Sequence, residues 1–364
     1  MKVTIVGAGS AGLGTAIAVR SVFKDAEVTI LERAKESEAP GLGVALLPYA
    51  IQMINVQGFP AYKDSFVPIS RVIDVFAGPT KTGEVLRDTR VQDVVYSGVK
   101  RATLLTFLRE AAHRSGARIE YEVDISEERV RREQESVDLL VGADGASSVV
   151  RGVFADKFSP RGRDAKSRFA WLELTGAPLD RFVFGYMYVG ARGLIRVTAY
   201  PYGRQQATAI VTHSMGWERH LDEPEMLDAE GYISDHGMAE LNEVFAVGLG
   251  GRRLTGKSRW RRFKATHCEH AAFDNVALVG DAYATLHYET GWGTSVAIQE
   301  SSILGHALAR GKGLRDSLDT YDTKCTALSH GAVKATAKAV REIDGQSAKF
   351  FQMGAAKFLK LGTA

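Results

Sequence analysis

The sequence begins MKVTIVGAGSAGLGTAIAVR, and its first chemistry lies in the spacing Gly7-x-Gly9-x-x-Gly12, with Glu32 twenty residues beyond the last glycine. Each residue type there answers a demand of a bound dinucleotide. Gly7 makes a tight turn, Gly9 lets backbone approach a pyrophosphate, and Gly12 lets a helix pack closely on a strand, while Glu32 can accept from ribose hydroxyls. Two later stretches set an acid beside glycine: GADGASSVVR from Gly142 to Arg151, which contains Asp144, and Gly280-Asp281-Ala282. Short strand-to-helix junctions of this kind expose backbone N–H groups to an anion while the carboxylate accepts from hydroxyls. Downstream stands His287-Tyr288-Glu289-Thr290-Gly291-Trp292-Gly293-Thr294. An imidazole at His287 can hold a phenol, aniline or indole N–H and take its proton near neutral pH; it can equally be a loop histidine satisfied by backbone.

These groups act together only if the elements between them fold correctly. Lys2–Val6 is a short β-branched run, Leu13 to Val22 is helix-compatible, and Glu27–Leu31 is the next strand. The uncharged run from Val3 to Val19, with Ala16-Ile17-Ala18, imitates a secretory signal. Strand, glycine turn, helix, strand and acid in this order make it a working part instead. GLGVALLP, from Gly41 to Pro48, is a second glycine-punctuated loop and contains Gly43. Between Val99 and Gly116, Leu104, Leu105 and Leu108 share one helical face, with Arg101 near the start and Gly116 as a stop. Val137–Val141 reads as a strand leading directly into Gly142. From about residue 165 to 265 the pattern alternates with period two, predicting an antiparallel sheet on which Tyr200 falls. From Ser317 onward the chain looks helical and amphipathic; its end, KFFQMGAAKFLKLGTA, fits a helix packed on the first domain or a surface helix touching a membrane or partner.

Composition narrows the function classes. Lys and Arg total 46 against 43 for Asp and Glu in 364 residues, a formal charge of +3 with no block of five or six like charges, so nucleic acid is not an expected partner. The length suits one large α/β unit or two domains sharing an interface. Cys268 and Cys325 stand 57 residues apart, giving neither a disulfide framework nor a metal spacing, which fits a reducing cytoplasm. HCEH, from His267 to His270, begins a strand that turns neighbouring side chains to opposite faces, so no metal site is expected. No transmembrane segment is expected either.

Taken in order, Gly7-x-Gly9-x-x-Gly12 with Glu32-Arg33, Gly142-Ala143-Asp144-Gly145-x-x-Ser148-x-x-Arg151, and Gly280-Asp281-Ala282, with Arg101 opening a helix between the first two, resemble the single-component (class A) flavin-dependent aromatic monooxygenases, the group of para-hydroxybenzoate and salicylate hydroxylases. The continuation His287-Tyr288 and Gly291-x-Gly293-Thr294 is similar to the subgroup acting on salicylyl-CoA or 2-aminobenzoyl-CoA and to the violacein-pathway hydroxylases. Gln299-Glu300 stands where that motif ends in Glu-Asp.

The resemblance implies an α/β fold: a Rossmann-like FAD-binding domain of the glutathione-reductase type over 1–70, 95–164 and 266–316, an antiparallel β-sheet substrate domain over 71–94 and 165–265, and C-terminal helices over 317–364. It implies FAD at Gly7, Gly9, Ala11, Gly12, Glu32, Arg33, Arg101, Asp144, Asp281, Gly291, Gly293 and Thr294, with Asp281 on the ribityl chain and Asp144 chiefly a brace. The implied activity takes NADH or NADPH as reductant and O2 as co-substrate, and hydroxylates a small electron-rich aromatic, phenolic, anilinic or indolic and in some members CoA-linked, through a flavin C4a-hydroperoxide. His287 would be catalytic, with Gly43, Tyr200, Tyr288 and Trp292 around the substrate. A monomer or homodimer is expected. A flavin reductase or dehydrogenase, or a flavin-binding scaffold that sequesters a pathway intermediate, would use the same cofactor residues.

Overall fold

The computed structural model describes residues 1–36, 41–56, 65–78, 81–90, 96–176, 178–189, 192–213, 215–246 and 249–353. Lys2–Val6 (β1) is buried at every position but its first and runs into the glycine turn; Ser10–Val22 (α1) follows, and Glu27–Leu31 (β2) pairs parallel with β1. On its other side β1 pairs in parallel with Leu139–Gly142, which pairs in parallel with Val276–Leu278. Arg118–Glu120 extends the sheet beyond β2, and Ala272–Phe273 closes the opposite edge. The strand order therefore reverses at β1. At such a reversal the connections diverge and leave a crevice at the carboxyl ends of the strands. The glycine turn, the Asp144 loop and the Asp281 turn follow the carboxyl ends of three adjacent strands, so the sheet alone brings the three motifs to one edge.

Small residues then let two helices close over this edge. In α1 the run from Ala11 to Val19 is buried, and the helix packs against Gly293–Arg310. A Cβ on Gly305 would stand 2.9 Å from the Ala18 Cβ, and one on Gly14 would stand 3.1 Å from the Ser301 hydroxyl. That hydroxyl donates to the Ala11 carbonyl at 2.9 Å, tying the helices where they approach.

The second sheet runs in the order Arg253–Thr255, Pro160–Thr175, Gln206–His213, Gly193–Pro201, Phe182–Val189, Arg71–Gly78, Lys81–Arg90, with Arg261–Cys268 on the first half of Pro160–Thr175. It departs from the expected antiparallel pattern at one pair, since Phe182–Val189 lies parallel to Arg71–Gly78. Parallel neighbours need a long crossover. Here the chain supplies it by passing through the first sheet between the two strands. Pro160–Thr175 and Arg261–Cys268 pair on both sides of residues 164 and 265, with a shift of register between Asp164 and Arg168.

A three-stranded sheet of Gly43–Leu46, Tyr96–Lys100 and Val67–Ile69 forms the seam between the large sheets. Two glycines make that seam possible. A Cβ on Gly43 would meet the Tyr202 Cβ at 2.3 Å, and one on Gly98 would meet the Pro201 carbonyl oxygen at 1.7 Å. Leu314–Met353 is one long helix lying against Gly293–Arg310. Residues 354–364, most of the KFFQMGAAKFLKLGTA segment, lie outside the described residues. Among the described residues no helix is long and apolar enough to cross a membrane.

Gly98→Ala is expected to destabilise the protein by about 2 kcal/mol or more, because backbone at the seam must move to admit the methyl group. Gly152→Ala, where a Cβ meets nothing within 4 Å, is the control expected to leave the melting temperature almost unchanged.

Candidate active site

Two of the three fingerprint glycines face the protein's own backbone. A Cβ on Gly7, whose φ is +103°, would stand 2.5 Å from the Ala143 carbonyl oxygen, and one on Gly12 would stand 1.9 Å from the Gly7 carbonyl oxygen. Gly9 differs, since nothing lies within 4 Å of its Cβ position. The first turn of α1 carries no acid and no capping side chain, so its N–H groups and positive end face that open space. An anion fits there. Ala11 faces inward: its Cβ packs 2.9 Å from the Cβ position of Gly280, so its side chain is packing and only its first-turn N–H can face a ligand.

Glu32 is held by this turn as well as facing it. One carboxylate oxygen accepts from the Ala8 N–H at 2.7 Å and the other from the Ala34 N–H at 2.8 Å, leaving each a second lone pair for a hydroxyl. Arg33 beside it is exposed.

Asp144 serves the protein itself. Its oxygens accept from the Ser148 hydroxyl at 2.5 Å and from the N–H groups of Val149 and Val150 at 2.7 and 3.2 Å, which starts the short helix Val149–Val153. That helix carries Arg151, whose guanidinium donates to the carbonyls of Ala146, Asp281 and Ala282 and so ties the second motif to the third.

The third motif rests on a residue that sequence reasoning did not assign to the site. Glu300 is 1% exposed; one carboxylate oxygen accepts from the Gly280 N–H at 2.6 Å and the other from the Ser329 hydroxyl at 3.2 Å. Its signal was present as a carboxylate on a helical face otherwise made of Val296, Ala297 and Leu304. Burial pushes Glu300 up to about 8, against the lowering effect of those hydrogen bonds. Asp281 is exposed to a cavity, whose walls push it up to about 6 by desolvation although Arg151 and Arg101 oppose the rise. Arg101, half-buried, lies within electrostatic reach of both Glu32 and Asp281 and so bridges the fingerprint and the cavity.

The cavity has a volume of about 1010 Å³. Its lining includes Arg101, Asp281, Gly291, Trp292, Gly293 and Thr294 together with Phe169, Trp171, Tyr200 and Tyr288. Gly291 adopts φ +64° against the edge of Tyr96, and nothing lies within 4 Å of the Cβ position of Gly293. Tyr96 donates to the Thr290 carbonyl at 3.2 Å and pairs with Trp292, which fixes the loop. Tyr288 packs on Phe169 with ring centres 4.7 Å apart, and its hydroxyl is bonded to Thr212 at 2.8 Å. Tyr200 is buried, stacks on Phe182 and donates to the Gly43 carbonyl at 3.1 Å. Gly43 is absent from the wall, because the contact with Tyr202 occupies its open face.

The structure also moves His287. Its ring is 1% exposed and does not line the cavity; it sits behind Tyr288, 4.1 Å between ring centres, and against Phe263 at 4.6 Å. Burial, aided by Arg196, pushes the imidazole down to about 3, so it is neutral at pH 7. Its Nδ1 accepts from the Glu289 backbone N–H at 3.4 Å, and the His287 backbone N–H donates to the Thr336 hydroxyl at 3.0 Å. The covered imidazole packs on Tyr288 and is not part of the cavity wall. Next to it, Glu289 forms an ion pair with Arg196, which is 7% exposed and lies on the strand Gly193–Pro201. Nothing in the alternating pattern of that strand marked its arginine as an anchor.

A family model described as FAD binding domain matches residues 1–336. The chain belongs to that family. It is 29% identical over 328 residues to a salicyloyl-CoA 5-hydroxylase of a Streptomyces species, covering 89% of this chain and 62% of the relative. The chain thus spans under two thirds of that relative's length. It is 28% identical over 329 residues to a 3-hydroxy-4-methyl-anthranilyl-[aryl-carrier protein] 5-monooxygenase of Streptosporangium sibiricum, covering 88% of this chain and 83% of the relative. In fold it is similar to a 2-methyl-3-hydroxypyridine-5-carboxylic acid oxygenase, with a TM-score of 0.73 at 16% identity over 98% of this chain and 95% of the other. A probable FAD-dependent monooxygenase from Pseudomonas aeruginosa gives 0.72 at 19% identity over the full length of both chains.

FAD fits the residues present. The open face of Gly9 and the uncapped start of α1 suit its pyrophosphate, Glu32 keeps lone pairs for a ribose, and the Asp281 carboxylate opens into the cavity where a ribityl hydroxyl can donate. Asp281→Ala is expected to weaken FAD binding by about tenfold or more, the loss of a charge-assisted hydrogen bond, in a flavin fluorescence titration.

Glu300 makes a separate prediction about pH. Its folded pKa lies above its unfolded value, so the folded state holds a proton that the unfolded state releases. The resulting stability is present at low pH and is lost as pH rises from about 4.5 to about 8. Glu300→Gln is expected to flatten this decline in the melting temperature of the FAD-free protein over that window.

Proposed function

We propose that the protein is an FAD-dependent monooxygenase that uses NADH or NADPH and dioxygen to hydroxylate an electron-rich aromatic small molecule. The observation that carries this reading is one cavity joining Asp281, Arg101 and the helix start at Gly293 and Thr294 to the aromatic wall of Phe169, Trp171, Tyr200 and Tyr288. The first set has the groups a flavin requires, and the second has the faces an aromatic ring packs against. The relatives named for salicyloyl-CoA and for an anthranilyl group support an aromatic substrate.

FAD bound there supplies electron transfer and oxygen activation. The chain supplies position, charge and exclusion of water. Helix Gly293–Arg310 starts without a capping side chain or an acid in its first turn, so its positive end favours negative charge in the cavity. Phe169, Trp171, Phe263 and Tyr288 present ring surfaces that displace water from the reacting centre. Tyr288 is held from three sides, by Thr212, Phe169 and His287, and so keeps one orientation toward a bound ring. The sequence contains one complete dinucleotide fingerprint, so the nicotinamide is expected to bind transiently.

The activity is tested by recording the flavin spectrum of the purified protein and measuring NAD(P)H oxidation with aromatic acids, their thioesters and indoles. A product heavier by one oxygen atom is expected. NAD(P)H consumption without oxygen in any product would point to the reductase alternative.

His287 has its own expected outcome. Because its pKa is about 3, the pH profile of kcat/KM should show no limb from this residue between pH 5 and 8. His287→Ala should loosen Tyr288, raising KM and the share of reduced flavin that ends as hydrogen peroxide while leaving the profile's shape unchanged. A limb near neutrality that vanishes in the variant would restore His287 as an acid–base group.

A further inference from the structure

The cavity has a charged side that hydroxylation of a small ring does not use. Lys257, Arg259 and Arg261 recur at every second position and are exposed, while Ser258 between them is buried, its hydroxyl accepting from the Trp171 N–H at 2.9 Å. Trp260 also turns inward, against His213. The alternation thus directs three cations to one face, and all three line the cavity together with Lys264.

The carboxylates nearby have partners of their own. Glu173 accepts from the Tyr202 hydroxyl at 2.5 Å and from Gln206, Glu218 pairs with Arg262, and Asp281 has Arg151 and Arg101 within electrostatic reach. Among the described residues Lys257, Arg259, Arg261 and Lys264 form no ion pair. The row is also held in place: the Arg259 guanidinium lies 4.3 Å from the centre of the Tyr232 ring and the Lys257 ammonium 5.6 Å from it. Beside it, Trp171 is 38% exposed, an unusual position for a large apolar side chain unless something covers it.

We propose that this rim binds a phosphate-bearing handle attached to the substrate's aryl group, the ring entering the aromatic wall while the handle's phosphate lies across Arg259 and Arg261. Arginine forks match phosphate oxygens in pairs, and cations without carboxylate partners gain most from an incoming anion. Trp171 and Tyr232 then pack on the uncharged part of the handle. This rests on the hydroxylase reading for the ring's identity but concerns binding alone.

The test is calorimetric titration of the FAD-loaded protein with three benzoyl thioesters that differ only in their handle: CoA, 4′-phosphopantetheine and pantetheine. The CoA or phosphopantetheine thioester is expected to bind at least about tenfold more tightly than the pantetheine thioester, with the advantage falling as salt is raised. Equal tightening by both phosphorylated compounds would place the contact on the pantetheine phosphate, which a carrier protein also presents. Tightening by CoA alone would place it on the nucleotide phosphates. Arg259→Ser with Arg261→Ser, both exposed, should abolish the advantage, weakening the phosphorylated thioesters far more than the pantetheine thioester, whose binding changes only through the lost contact of Arg259 with Tyr232. Three equal affinities, or an advantage that survives the double substitution, overturns the proposal. Because no turnover is needed, a protein that prefers the phosphorylated thioesters yet transfers no oxygen refutes the activity and not the handle. One that hydroxylates free phenols with all three affinities equal refutes the handle and not the activity.

Discussion

The site depends on one confined turn. Gly280 is pressed from both sides, by Ala11 of the first helix and Ala297 of the helix that starts at Gly293, and its N–H is taken by the buried Glu300 carboxylate. Only a residue without a side chain, at φ +66°, fits between those methyl groups. With the turn in place, Asp281 opens into the cavity, its carbonyl and that of Ala282 receive Arg151, and the uncapped helix end reaches the same space. Displacing the turn would disturb all three motifs together, because each borders it.

Charge is distributed unevenly around that turn. Glu300, which burial keeps from ionising readily, stands close to Asp281, which is exposed to the cavity and has Arg151 and Arg101 within electrostatic reach. The cavity lining also carries Lys257, Arg259, Arg261 and Lys264, and a neutral histidine lies against Tyr288.

The loop after Asp281 ties the eight-stranded sheet and the long C-terminal helix to the turn that follows the six-stranded sheet. Glu289 reaches the buried Arg196 of the substrate sheet, Tyr288 bonds to Thr212 on the neighbouring strand, and His287 bonds through its backbone N–H to Thr336 of the long C-terminal helix. Removing one member of a buried ion pair leaves an uncompensated charge, so such a pair holds geometry more firmly than its net contribution to stability would suggest. The aromatic wall is therefore oriented by polar groups that never touch the cavity.

The first βαβ unit was legible in the sequence because its determinants are local: a β-branched run, glycines at spacings that one turn requires, and an acid at a set distance. For the same reason the alternating strands and the close packing expected at Gly7 and Gly12 could be written from residue types alone, whereas the bracing role of Asp144 came from the resemblance. The tertiary structure decided what depends on distant neighbours. Gly43 reads as a loop glycine until Tyr202, far along the chain, is found against it, and His287 reads as a catalytic base until Phe263 and Tyr288 are seen to cover it. Glu300 and Arg196 looked like ordinary members of a helix and a strand, and burial against other elements made one the support of the cofactor turn and the other the anchor of the loop. The parallel pair in the substrate sheet has the same origin. A sequence pattern specifies which face of a strand is apolar, but which strand lies beside it depends on the path of the chain between them.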